Sequence, residues 1–365
     1  MTTGVGLDLT CLEAALETGV ERYARRLAET LPIAARDLRI HVIVREGKPA
    51  PSVPEPGVVI TAPASFSRVL WRETVLPATV RSAGLKVLHA PVAAVSTLIS
   101  VPRVATIHDV PDPRAPGEGG LFSRHRLRIH HAMAAAKKLI TPSFATRDAL
   151  LKLDPSAGDR IAVIPHGVDP DFRPWGPSLD RARYGIPPGP YVLCVATLRP
   201  RKDHDTLLRA FARVAAGRDL RLVLAGRHDE DPSALRELAA ELGVADRVLA
   251  IGYVARQDLP DLYREASAAA LASRIEGFGL PILEAMACGV PVAASEAGAV
   301  PEVAGGAARL FEPGNVESAA SALRDVLDDA GLRATLKDRG LKRAAEFTWE
   351  ACARRHADVY RSLIA

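Results

Sequence analysis

Short runs of β-branched and aliphatic residues recur along the chain: LRIHVIV (38–44), KVLHA (86–90), VATIHD (104–109), KLITPS (138–143), RIAVIP (160–165), YVLCVAT (191–197), LRLVLAG (220–226), RVLAIGY (247–253), AAALAS (268–273) and PVAAS (291–295). Helical patterns alternate with them, which predicts parallel sheets covered by helices on both faces. In VERYARRLAETL, Val20, Tyr23, Ala24, Leu27 and Leu31 fall three and four residues apart and form one apolar helix face. No repeat of fixed period is present.

The periodicity breaks in HGVDPDFRPWGPSLDRARYGIPPGPY, where prolines at 170, 174, 177, 187, 188 and 190 crowd around glycines. A domain boundary is expected there. The chain then reads as α/β with two doubly wound, Rossmann-like domains facing a cleft: an acceptor-side domain over 1–172, a nucleotide-sugar-binding domain over 173–345, and a terminal helix over 346–365. Ligands of such sheets bind beyond the carboxyl ends of the strands.

Composition narrows the field only modestly. Across 365 residues, 48% hydrophobic and 25% charged residues are ordinary for a globular protein, and a net charge of +4 is too small to imply nucleic acid. Cys11, Cys194, Cys288 and Cys352 lie far apart without CxxC or CxxH spacing, so they read as reduced thiols of a cytosolic protein. The start MTTGVGLDLTCLEAALETG lacks the basic residues and apolar core of a signal peptide, and no apolar run is long enough for a membrane span. A cytoplasmic chain is the expectation.

The candidate chemistry lies in EGFGLPILE, Glu276 to Glu284. AAALAS reads as a buried strand, Pro281 as the first helical residue and Gly289 as the helix stop. Gly277 and Gly279 let backbone N–H groups approach a ligand, and the helix start favours phosphate. Glu284 is expected in the first helical turn and Glu276 at the loop tip. Carboxylates accept from hydroxyls, so the loop fits a diphosphate with a sugar on either side. The bland alternative makes Glu284 a partner of the helix dipole and Glu276 a solvated charge.

SRIEGFGLPILEAMACGVPVAASEAGAVPEVAGGAARLFEPGN resembles the signature of glycosyltransferase family 4, retaining enzymes of the GT-B fold, with its two glutamates at Glu276 and Glu284. The resemblance extends over ETGVERY (17–23), VLHAP (87–91), TIHDV (106–110), ITPSFATRD (140–148), VIPHGVD (163–169), VATLRPRKDHDTLLRAF (195–211), LVLAGR (222–227), GYVARQDLPDLYREA (252–266) and FTWEACA (347–353). It implies that Glu276 contacts hydroxyls of the transferred sugar and Glu284 the ribose. The loop Gly277, Phe278, Gly279 and Leu280 would approach the donor, with Arg201 and Lys202 on the diphosphate. His108 would stand beside the sugar, and Tyr253 and Val254 would meet the base. Gly19 would belong to the first-domain loop, where Glu21 replaces the second glycine common among relatives. The helix after Trp349 would cross back onto the first domain.

Three DxD triplets, Asp169–Asp171, Asp203–Asp205 and Asp229–Asp231, are read as chance, and no catalytic metal or resident cofactor is expected. Residues 121–147 carry Arg124, Arg126, Arg128, Lys137, Lys138 and Arg147 without Asp or Glu up to Arg147. That segment suits either a peripheral contact with anionic membrane or a solvated helix. Phe66 and Trp71, with Arg68 and Arg72, are candidates for the acceptor side.

The leading function is metal-independent transfer of a hexose from a nucleoside diphosphate sugar to a glycan or lipid-linked acceptor. The alternatives are a nucleotide-sugar epimerase or a non-catalytic nucleotide-sugar-binding subunit. GDP-mannose is the first donor expected, because the glutamate-loop wording resembles bacterial mannosyltransferases of surface polysaccharide synthesis. UDP- and dTDP-sugars remain open.

Overall fold

The computed structural model describes residues 3–13, 17–64, 67–111, 123–227, 231 and 233–364. The chain forms two compact units: the described residues of Met1–Pro111, Leu121–Gly167 and Phe347–Ala365, and those of Val168–Glu346.

In the first unit β1 (Thr3–Asp8), β2 (Leu38–Arg45), β3 (Val58–Ala62), β4 (Val87–Ala90), β5 (Arg103–Thr106), β6 (Lys138–Thr141) and β7 (Ile161–Val163) pair in the order β3-β2-β1-β4-β5-β6-β7. All pairs are parallel. Its helices are α1 (Gly19–Ala34), α2 (Arg68–Ser82), α3 (Arg124–Ala135) and α4 (Phe144–Leu151). In the second unit β8 (Tyr191–Val195), β9 (Arg221–Ala225), β10 (Val248–Gly252), β11 (Ala268–Leu271), β12 (Val292–Ser295) and β13 (Arg309–Phe311) pair, again parallel, in the order β10-β9-β8-β11-β12-β13. Its helices are α5 (His204–Ala215), α6 (Ser233–Glu241), α7 (Leu259–Arg264), α8 (Leu280–Ala287), α9 (Val300–Ala304), α10 (Val316–Asp328) and α11 (Ala330–Ala345). In each sheet the first strand lies inside and the order reverses beside it, so loops diverge there at the carboxyl ends.

The last helix, α12 (Trp349–Ile364), belongs to the first unit. Its Trp349, Cys352, Ala353, Ala357 and Tyr360 share a core with Tyr23, Ala24, Leu27 and Leu31 of α1. A buried hydrogen-bond chain adds direction to this packing. His356 Nδ1 lies 2.8 Å from the Cys352 carbonyl, which can only accept, so the ring donates there and leaves Nε2 bare. Tyr23 then donates its O–H to Nε2 over 2.7 Å, and its oxygen accepts from Thr106 over 2.8 Å. Thr106 accepts from His89 Nε2 at 2.8 Å, and His89 Nδ1 accepts from Tyr360 at 2.7 Å. Five side chains on α1, β4, β5 and α12 are thus satisfied without a net charge, as burial demands.

Trp71 is fully buried and donates to the Pro63 carbonyl at 2.8 Å, so it is a core residue and not part of an acceptor surface. Arg72 is drawn to the buried Asp8, 3.5 Å away. Phe66 lies outside the described residues, as do Leu121 and Phe122 of the basic segment and Asp229 of the third DxD triplet. All four cysteines are buried and free of disulfides.

Candidate functional site

β8 and β11 are adjacent and parallel, so the loops after them emerge side by side. After β8 the chain makes a 3-10 turn, Pro200–Lys202, and enters α5 through Asp203. After β11 it runs through Ser273 and Glu276 to Gly279, the N-cap of α8 at φ 98°. Three direct bonds join the loops: Arg274 N–H to the Arg201 carbonyl at 2.8 Å, Lys202 Nζ to Glu276 Oε2 at 2.6 Å, and Arg274 Nε to Asp203 Oδ2 at 2.9 Å. Ser273 adds a hydroxyl to Glu276 Oε2 at 3.1 Å.

Glu276 therefore differs from the expected exposed loop tip. Its side chain is only 11% exposed, and that of Lys202 10%. The loop is seated on the following one: Ala299 N–H donates to the Glu276 carbonyl at 2.9 Å. A Cβ added at Gly298, which has φ +56°, would stand 2.2 Å from that carbonyl oxygen. Only glycine permits this approach.

Glu284 is the fifth residue of α8, and no acidic residue occupies the first turn. The helix begins with Leu280, which places the carboxylate one residue further into the helix than expected, where it is 2% exposed. Tyr263 of α7, also fully buried, donates to Glu284 Oε2 at 3.2 Å. A buried carboxylate is stabilised by hydrogen-bond donors, and a ligand hydroxyl is a donor of the same kind as the Tyr263 phenol. Gly277 and Gly279 flank the buried Phe278, and Leu280 is buried as well. Tyr253, 37% exposed, and the buried Val254 begin the loop after β10, two strands away from β8.

In the first unit His108 lies beyond the end of β5. Its Nε2 donates to the Pro91 carbonyl at 2.8 Å, which leaves Nδ1 to accept from His166 Nε2 at 3.3 Å. Tyr23 meets the ring edge-on at 4.9 Å. Burial pushes the His108 pKa down, against the opposing pull of the Pro91 bond and of Asp109. Asp109 itself pairs with His125 Nε2 at 3.2 Å. Gly19 is the first residue of α1, and Glu21 completes a capping box there, accepting from Thr18 N–H at 2.9 Å and from the Thr18 hydroxyl. The helix thus supplies an anion to its own positive end.

Two DxD triplets have structural roles: Asp169 pairs with Arg256 at 2.7 Å and Asp203 caps α5. On α3, Arg124, Leu127 and Arg128 are exposed, whereas Arg126 is buried and donates to the Pro111 carbonyl at 3.3 Å. Among the described residues no helix is long and apolar enough to cross a membrane.

Sequence reading missed Tyr263, Arg274, Asp203 and Gly298. Asp203 alone left a local signal, an acceptor three residues before Thr206 at the head of an amphipathic helix.

Comparison with known proteins agrees with this architecture. Residues 18–172 match Glycosyltransferase Family 4, and residues 179–343 match Glycosyl transferases group 1. Over 270 residues the chain is 31% identical to an O-antigen chain mannosyltransferase B of Escherichia coli, covering 71% of this chain and 70% of that one. It is 34% identical over 281 residues to a D-inositol 3-phosphate glycosyltransferase 1 of Catenulispora acidiphila, covering 72% and 67%. Among solved structures, sucrose-phosphate synthase of Thermosynechococcus elongatus superposes with a TM-score of 0.81 at 23% identity, covering 99% of both chains. Anabaena Alr3699/HepE, solved in complex with UDP and glucose, gives 0.76 at 22% identity over 100% of both chains.

Proposed function

The chain belongs to glycosyltransferase family 4, an enzyme of the GT-B fold, and we propose that it transfers a hexose, mannose first, from a nucleoside diphosphate sugar to a hydroxyl of a glycan or lipid-linked acceptor with retention at the anomeric carbon. The observation that carries this reading is the Lys202–Glu276 pair of 2.6 Å on the same loop system as the buried Glu284. A nucleoside diphosphate sugar can part that pair, its hydroxyls donating to Glu276 while Lys202 turns to the diphosphate. Glu284 accepts from the ribose, and Gly277, Phe278, Gly279 and Leu280 bring backbone N–H groups and the start of α8 to the phosphates.

As the glycosidic bond breaks, negative charge grows on the leaving diphosphate. Arg201 and Lys202 stabilise that charge without a metal ion. No second carboxylate is placed as a covalent nucleophile in this reading; attack comes from the face that the leaving group vacates, with His108 and Glu276 holding the sugar. Tyr253 and Val254 meet the base, and Gly19, at the start of α1, is the first unit's candidate contact with the donor. GDP-mannose is the donor favoured by the likeness to the mannosyltransferase of Escherichia coli. The exposed Arg124, Leu127 and Arg128 of α3 suit a peripheral contact with anionic membrane; equal cosedimentation with anionic and neutral vesicles would exclude it.

The test is acceptor-dependent release of nucleoside diphosphate. A thermal-shift panel of GDP, UDP, dTDP and ADP selects the base, and EDTA is expected to leave the rate unchanged. Glu276→Ala is expected to keep affinity for the bare nucleoside diphosphate while losing transfer, since its contact forms only with sugar present. Release that is equally fast without acceptor, or strict dependence on magnesium or manganese, contradicts the proposal.

A further inference from the structure

We infer that Asp203 and Arg274 form a clip that positions Lys202 against the donor's diphosphate; the inference rests on the role given to Lys202 above. Asp203 is the only non-glycine among the described residues with positive φ, at φ 50° and ψ 49°. An L-residue is strained there, and glycine would adopt the conformation freely. What glycine lacks is the carboxylate. In Asp203 that group accepts from the Thr206 hydroxyl at 2.9 Å and from the Thr206 N–H at 3.4 Å, and it pairs with Arg274 Nε at 2.9 Å.

The geometry across the two loops is crossed. Lys202 and Asp203 are consecutive, and their opposite charges reach Glu276 and Arg274 on the facing loop. Arg274 also gives its backbone N–H to the Arg201 carbonyl at 2.8 Å. When a ligand draws Lys202 away from Glu276, one of the two ion pairs is lost and the other remains. The Asp203 carboxylate is buried, and the Arg274 side chain, 48% exposed, lies beside Gly314, whose added Cβ would meet its guanidinium at 3.3 Å. The clip is thus anchored at its Asp203 end. It holds the backbone of Arg201–Asp203 while the Lys202 side chain changes partner. Asp203 and Arg274 are positioning residues: they act through Lys202 and need not touch the donor.

Asp203→Asn and Arg274→Gln separate this role from a structural one. Asparagine tolerates the left-handed conformation and still caps a helix, so Asp203→Asn removes the charge alone. With GDP-mannose and UDP-glucose as probes, each variant is expected to lower kcat about 10- to 100-fold, because the charge stabilising the leaving group is displaced. Affinity for bare GDP and UDP should change far less, the double variant should be no worse than either single one, and Arg274→Lys should recover most of the loss. Independently of any donor, acetic anhydride should acetylate Lys202 faster in both variants than in the parent, with the exposed Lys337 unchanged, read by peptide mass spectrometry.

Unchanged acetylation of Lys202, multiplying losses in the double variant, or an Arg274→Lys protein no better than Arg274→Gln would each overturn the clip. Lys202→Ala distinguishes the two levels. If it is slow while Arg274→Gln turns over like the parent, the clip does not position Lys202. If Lys202→Ala itself turns over like the parent, the role of Lys202 on the diphosphate is wrong, and the clip has nothing to position.

Discussion

In the first unit, one buried polar group beneath α12 is held neutral: His89, Thr106, Tyr23, His356 and Tyr360 form one directional hydrogen-bond chain with fully buried members. In the second unit, the loops after β8 and β11 hold full charges, with Lys202 on Glu276 and Asp203 on Arg274. A neutral chain cannot exchange partners cheaply, because each O–H or N–H is committed to one acceptor and burial excludes water as a substitute. Ion pairs at a partly exposed loop can, since an incoming hydroxyl or phosphate replaces each half. The first arrangement fixes a helix in place. The second leaves charged groups ready to meet a ligand.

The largest expected effect breaks the second arrangement without touching a charge. Gly298→Ala would set a methyl against the Glu276 carbonyl, 2.2 Å away, at a backbone φ of +56°. Left-handed strain costs roughly 1–2 kcal/mol and overpacking about 1–3 kcal/mol more. Transfer should fall about 100-fold or more, since the loop bearing Glu276 must shift, and the melting temperature should drop with it. A variant with parental transfer would show that the exact seat of Glu276 is unimportant.

A smaller effect is expected from Glu284→Ala. Loss of a charge-assisted hydrogen bond to ribose should weaken nucleoside diphosphate binding by about 1.5–3 kcal/mol, read by calorimetry. Unaltered affinity would remove Glu284 from the ribose. The carboxylate would then serve the fold, where it accepts from Tyr263 at 3.2 Å.

How much of this contrast was legible beforehand follows from the range of each interaction. Buried strands leave local apolar runs, and ten of them read correctly. β1 (TGVGLD) was missed because two glycines interrupt its run, β3 because it alternates at the sheet edge, and β13 because it spans three residues. The glutamate loop was legible through its glycines and Pro281. Its partners were not: Lys202 is 74 positions from Glu276, and Tyr263 lies 21 before Glu284. Spacing carries no information about such pairs until the sheet order brings β8 beside β11. The depth of Glu284 was misjudged for a simpler reason, a shift of one residue in the start of α8.

The smallest effect concerns the neutral chain and acid. Burial is the leading cause that lowers the pKa values of His89, His108, His166 and His356, and for His356 the value falls from 6.5 to about 4. Above pH 6.5 this histidine is neutral in both folded and unfolded chains and contributes no pH dependence. Between pH 6.5 and 4 the unfolded chain binds the proton that the folded chain refuses, so stability falls as pH falls, and it levels off below about 4. From pH 7.5 to 5.5 the loss from His356 alone is on the order of 1 kcal/mol. Urea unfolding at the two pH values measures it, and His356→Gln assigns it. Glutamine can still donate toward the Cys352 carbonyl and accept from Tyr23, yet it does not titrate. The variant should be somewhat less stable at pH 7.5 and lose less on acidification than the parent. An identical loss would place the acid sensitivity in carboxylates instead, and the neutral chain under α12 would then differ from the charged loops of the second unit in geometry but not in its response to protons.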